Sequence, residues 1–206
     1  MDFEQAIHSA LNSAFPTSLI TGCYFHVKQA WFKNLKKFGL IKEFQNKDSE
    51  IGKWLHLVFV LPLLRSEAVD DCFTFGLMSD APIDPKLTKF QDYIVANFIS
   101  ETARFPPSVW ANVGFNDETT NACESFHSHF NSFFYKSHPN ILVFVDILLK
   151  YQTFVYVKVI SSNTNSPVRK FNKKQHSYFE NQHRLLHQNI ISELDFLKNM
   201  SNFISN

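Results

Sequence analysis

Glycine is scarce in this chain of 206 residues, with only 5 copies, and its 3 cysteines stand singly. So little glycine disfavours a turn-rich all-β fold and favours long helices. The sparse, odd cysteine set (Cys23, Cys72 and Cys123) excludes a disulfide framework and points to a reducing compartment. An excess of charge is lacking too. A net charge of +1 provides no global field to hold nucleic acid, so any such contact must be local. Long hydrophobic runs are missing as well. Leu55 to Leu64 is too short to span a bilayer and is interrupted by Pro62, while Ile141 to Ile160 carries Asp146, Lys150, Gln152 and Lys158. The second stretch therefore predicts a helix with one buried face. The opening residues, MDFEQ, lack the basic and apolar start of a signal peptide. Together these absences predict a soluble intracellular protein.

What the chain does contain reads as globular, with 45% hydrophobic and 19% charged residues. The length suits one core, or one core with a helical appendage. Phe reaches 23 copies scattered through every segment, the pattern of core packing. Phe3, Ala6, Ile7, Ala10, Leu11 and Ala14 recur at helical spacing before Pro16, and Ser18 to Gly22 reads as a short strand. A helix from about Tyr24 to Phe38 buries Val27, Trp31, Leu35 and Phe38, and Gly39 caps it. From Leu40 to Ala111 the pattern is helical throughout, broken at Pro62, at Ala81 to Pro85 and at Pro106-Pro107. His138-Pro139-Asn140 starts a helix reaching about Ile160, with Ile141, Val145, Leu148, Gln152, Val155 and Val159 along one stripe. After the polar loop SSNTNSP, a final helix is expected from about Lys170 to Ile204, with Leu186, Ile190, Leu194 and Leu197 at heptad-like spacing.

Certain acidic residues stand in contexts more specific than their own identity. DFEQAIHSALNSAFP is followed by GCYFHVKQAWFK, and further on TTNACESFHSHFN is followed by HPNILVFVDIL. In this order they resemble the catalytic domain of Mutator-like (MULE) DNA transposases: an Asp-Phe-Glu helix, a Gly-Cys-x-x-His, a Thr-Asn-Asn-x-x-Glu-x-x-His and a His-Pro-Asn helix. The match departs at Thr120, where the family usually has Asn. It covers most of the chain outside 40–115 and the last 35 or so residues.

The resemblance implies the later part of an RNase H-like core and metal-dependent DNA cleavage and strand transfer. Such chemistry uses two divalent ions about 3.5–4 Å apart, held by a few carboxylates, to activate the nucleophile and neutralise the leaving oxygen. By resemblance, Asp2 and Glu124 are the second and third acids of the catalytic triad and bind Mg2+ or Mn2+. Asn121, His127, Cys23 and His26 accompany them as motif residues. The first acid is expected upstream of Met1, so the isolated chain is expected to be inactive. Asp2 and Glu124 are expected to approach each other in space. Read without the resemblance, Asp2 is a helix N-cap and Glu124 a solvated helix residue or an early-turn acid facing the helix dipole.

Cys23 and His26 also have the spacing to share one metal ion, with Cys123 and His127 completing a Zn2+ site; the alternative is a buried thiol beside a hydrogen-bonded imidazole. Lys28, Lys33, Lys36 and Lys37, and separately Arg169, Lys170, Lys173 and Lys174, are the candidates for DNA phosphates, against the simpler reading of solvated faces.

The expected fold is thus mainly α, an α+β remnant. Residues 1–39 would be a partial RNase H-like core, 40–115 a helical insertion, 116–160 core helices, and 161–206 a loop and C-terminal helix. The implied partner is DNA at transposon ends, in the nucleus, joined by a second transposase chain or the part of the domain expected before Met1. The alternatives are a non-catalytic, transposase-derived DNA- or protein-binding helical domain, and a structural zinc module.

Overall fold

The computed structural model describes residues 5–18, 21–111, 128–136, 138–161 and 173–205. The protein is mainly α-helical, and the described residues include no strand. Ser18, Thr21 and Gly22, expected in a strand, lie instead in turn and irregular backbone. The chain divides into two compact units, Met1–Thr119 with Lys173–Asn206, and Thr120–Asn172.

The first unit begins with α1 (Gln5–Ala14) and α2 (Tyr24–Lys37). Helix α2 turns Val27, Trp31 and Leu35 inward at helical spacing, all at 0% exposure. It stops because Gly39 adopts φ +73°. Leu40 N–H then donates to Leu35 O and Gly39 N–H to Lys36 O, the paired bonds of a Schellman motif. Leu35 and Leu40 are both buried at this end, supplying the apolar contact that usually accompanies such a cap.

Short helices follow: α3 (Ile41–Gln45), α4 (Glu50–Val58), a single 3-10 turn at Leu61–Leu63, and α5 (Ser66–Asp71), which runs on into a π-helical segment at Cys72–Leu77. Helix α6 (Pro85–Ile94) likewise continues as a π segment over Val95–Ile99, and α7 (Pro107–Trp110) ends the run. Their starts are readable in the sequence. Ser49 Oγ accepts from Gly52 N–H at 2.9 Å, and Asp84 Oδ1 accepts from Lys86 and Leu87 N–H at 2.8 and 2.9 Å ahead of Pro85.

The core forms around two tryptophans. The ring of Trp31 meets those of Phe59, Phe98 and Trp110 edge-on at 5.4–5.7 Å. Trp110 Nε1 donates to Phe105 O at 2.9 Å and to Phe98 O at 3.1 Å. The segments 1–39 and 40–115 therefore share one core.

The C-terminal segment joins the same core as two helices, α9 (Lys173–His187) and α10 (Glu193–Ser205), where periodicity predicts one. Asn189, at φ +54°, ends α9: its N–H donates to Leu186 O while Ile190 N–H donates to Leu185 O. Ser192 starts α10. Its Oγ accepts from Asp195 N–H at 3.1 Å and donates to Asp195 Oδ2 at 2.7 Å. The heptad-like spacing runs across this break because Leu186 and Leu197 reach one core from different helices.

In the second unit Asn140 Oδ1 caps α8 (Ile141–Ser161), accepting from Leu142 N–H at 2.9 Å. Phe144 packs on Phe130 and Phe134, and Tyr151 on Phe130 and Phe133. The stripe expected to be buried is exposed at each position, Ile141 at 69% and Val159 at 66%. Apolar residues surround this helix on all sides, and the short 128–136 segment covers only part of it.

Gly52 fixes how α4 leaves the preceding loop. A Cβ there would overlap Asn46 O and come within 2.7 Å of Glu43 O, both backbone atoms. Gly52→Ala should therefore destabilise the chain by about 1–3 kcal/mol, despite alanine's better helix propensity. Urea unfolding followed by circular dichroism measures this; a stabilised variant would show that the α3–α4 junction yields easily.

Candidate nucleic-acid interface

Helix α2 carries most of the sequence-predicted residues that can be placed. Its first turn is anchored where Gly22 N–H donates to Val109 O, and Cys23 occupies the N-cap position without a side-chain capping bond. Cys23 is buried, which suits the packing reading of its thiol. His26 is half-buried against the edge of Phe25, and its Nδ1 is buried without a hydrogen-bond partner. Cys123 and His127 lie outside the described residues, as do Asp2, Asn121, Glu124, Arg169 and Lys170. Lys173 and Lys174 form the first residues of α9. No group of three or more His, Cys, Asp or Glu among the described residues is placed to hold a metal ion.

The face of α2 opposite Val27, Trp31 and Leu35 is the basic one. Lys33, Lys36 and Lys37 stand exposed at positions i, i+3 and i+4, one side of the helix. Lys36 and Lys37 occupy its last turn, where ammonium groups also offset the negative end of the helix dipole. Lys86 adds a further amine beside Gly39, its Nζ 3.9 Å from the position a Cβ would take there. Phe25 and Phe32 of the same helix are 45% and 43% exposed; Phe25 also packs on His26, and Phe32, next to Lys33, packs edge-on with Phe44. Interleaved cations and exposed rings can meet phosphates and the faces of bases.

Lys28 departs from this face. Its Nζ lies over the Tyr24 ring at 4.7 Å, a cation–π contact, and Tyr24 Oη donates to Phe59 O. Lys28 also acts on His56 of α4 across space. His56 stacks on Phe44, centroids 4.4 Å apart, and Nε2 lies 3.0 Å from Phe44 O. A carbonyl oxygen only accepts, so Nε2 carries the hydrogen. Burial holds the His56 pKa below its usual value; the bond to Phe44 opposes this, and Lys47 and Lys28 reinforce it.

No protein-family model, curated protein or solved structure matches this chain.

A cavity of about 550 Å³ opens beside His56, lined by Lys47, Lys53 and Lys198 with Asp48, Leu57, Ser201 and Asn202. The sequence carries no signal for this grouping. Lys47, Lys53 and Lys198 stand outside any basic run and meet only because α10 returns to α4. Cys72, a cysteine of this unit to which the sequence assigns no role, is buried, and burial followed by the charge of Glu193 pushes its thiol up to about 12. Such a thiol is protonated and unreactive near neutrality.

His56 and His183 share one consequence. Burial is the largest cause lowering each; for His183, the charges of His187 and Arg65 add to it and a bond to Leu63 O opposes it. The unfolded chain then binds protons more readily than the folded one below the usual histidine range. Their contribution to stability is complete above about pH 6.5 and is lost as pH falls through the depressed folded values. Unfolding midpoints in urea should drop between pH 7.5 and 5.5, and less so in a His56→Gln/His183→Gln variant. An equal drop in both proteins would assign the acid sensitivity to other groups.

Proposed function

We propose that this chain carries catalytic-region motifs of a Mutator-like transposase and that it holds DNA through the lysine face of α2. One observation carries the reading: the four motifs around Asp2, Gly22, Glu124 and His138 stand in the family's order, with the family's residue types. The placed lysines support the DNA half of it. Lys33, Lys36 and Lys37 project from one side of a helix whose other side is locked into the core, a rigid presentation of charge to phosphates.

In this reading Asp2 and Glu124 are two of the acids that hold Mg2+ or Mn2+ in an RNase H-like site, with Asn121 and His127 beside Glu124. Phosphate contact through lysines contributes affinity without reading bases, so recognition of particular transposon ends falls to other parts of the transposase.

The test uses purified chain and a labelled duplex carrying the element's terminal repeats. Mobility shifts should appear at low salt and weaken as salt rises. In a Lys33→Gln/Lys36→Gln/Lys37→Gln variant the logarithmic salt slope should fall by roughly 0.9 for each phosphate that is no longer neutralised. With Mg2+ or Mn2+ present, any cleavage of the duplex should disappear in Glu124→Gln. Cleavage that persists in Glu124→Gln would overturn the metal-ligand reading of that residue. An absence of binding at low salt would overturn the DNA reading.

A further inference from the structure

The cavity beside His56 has a composition that structural need does not explain. Lys47 comes from the loop between α3 and α4, Lys53 from α4 and Lys198 from α10, so three separate segments place ammonium groups around one concavity of about 550 Å³. Against them the lining offers one acid, Asp48. Like charges gathered in a concave, partly apolar surface repel one another and focus a positive potential into it. Neutral donors complete the wall: the Ser201 hydroxyl, buried at 8% exposure, and the Asn202 amide. The nearest acid along α10, Asp195, is bonded into the helix cap by Ser192; those bonds lower its pKa, and the charge of Lys198 adds to them.

A second cavity of about 560 Å³ adjoins the first, and the two share Lys53, Leu57 and Lys198. Its wall differs in character: Leu77, Pro82, Ile83 and Leu194 supply apolar surface, and Glu50 and Asp80 supply two carboxylates. One lobe, with three lysines against Asp48, is therefore suited to an anion, and the other to an uncharged body whose hydroxyl groups can donate to Glu50 and Asp80, with two lysines at the boundary.

We propose that this two-lobed cleft binds a small phosphorylated molecule, its phosphate groups among Lys47, Lys53 and Lys198 and its less polar portion along Leu77 and Leu194. Lysine serves here as a point charge, and a chain of phosphates, with several negative charges within a few ångströms, is the compact anion that matches three of them. The site is separate from the Lys33–Lys36–Lys37 face of α2 and does not depend on the transposase reading. Phosphates of a DNA backbone share the same chemistry, and competition distinguishes the two sources.

Calorimetric titration of the full chain with tripolyphosphate and with ATP provides the test. Both should bind saturably, ATP more tightly through the apolar lobe, and each should displace the other. Lys53→Gln/Lys198→Gln should weaken both by roughly tenfold or more, since each lost charge removes a charge-assisted hydrogen bond. Circular dichroism checks that this surface variant remains folded. Lys89→Gln, an exposed lysine of α6 outside the cleft, should leave tripolyphosphate binding unchanged. An absence of saturable binding, or equal binding by the Lys53/Lys198 variant, would overturn the proposal. So would a short duplex that displaces tripolyphosphate, because the cleft would then be a docking place for the DNA backbone. Failure of DNA binding with tripolyphosphate binding intact would count against the transposase reading alone.

Discussion

The burial of Trp31 is the contact on which the first unit depends. One indole, fully removed from water, joins α2 to the end of α4 through Phe59, to the π segment after α6 through Phe98, and to α7 through Trp110. Its neighbours meet it edge-on, the geometry in which the positive rim of one ring faces the negative face of another. Such pairs are worth about 0.5–1.5 kcal/mol each beyond the area they bury. The lysine face of α2 is held in place by this cluster, because the orientation of the helix is fixed by the side chain it buries.

The two tryptophans of that cluster differ in their polar atoms. Trp110 Nε1 is shared between the Phe98 and Phe105 carbonyls, and these bonds hold the irregular backbone between the π segment and α7. Trp31 Nε1 is buried with no hydrogen-bond partner, as is Gln91 Nε2. An unmet buried donor costs about 1–3 kcal/mol. The packing of Trp31 outweighs that cost.

Electrostatics in this unit separates interior from surface. Half-buried groups are pushed toward neutrality: His56 and His183 lose affinity for a proton, and burial holds Cys72 and Tyr93 protonated, each up to about 12. Positive charge gathers outside, on one face of α2 and around the cleft between α4 and α10. A chain with a net charge of +1 can thus present two local basic surfaces while its overall field stays near zero.

The sequence by itself determined the helices that rest on local chemistry. Gly39 ends α2 where a left-handed residue was needed, Asp84-Pro85 starts α6, and Asn140 starts α8, because caps and backbone preferences act within a few residues. It also placed Lys33, Lys36 and Lys37 on one face, since helical spacing is local. Tertiary structure decided what depends on partners distant along the chain. Residues 173–205 form two helices because both ends of the Asn189 turn pack into one core, whereas periodicity alone continues straight through. The stripe on α8 is exposed because amphipathic spacing records which residues could be buried, while burial needs a surface to cover them. The basic cleft was illegible for the same reason. Lys47 and Lys53 carry no signal in sequence until the fold brings Lys198 beside them, and charge acts through space, not along the chain.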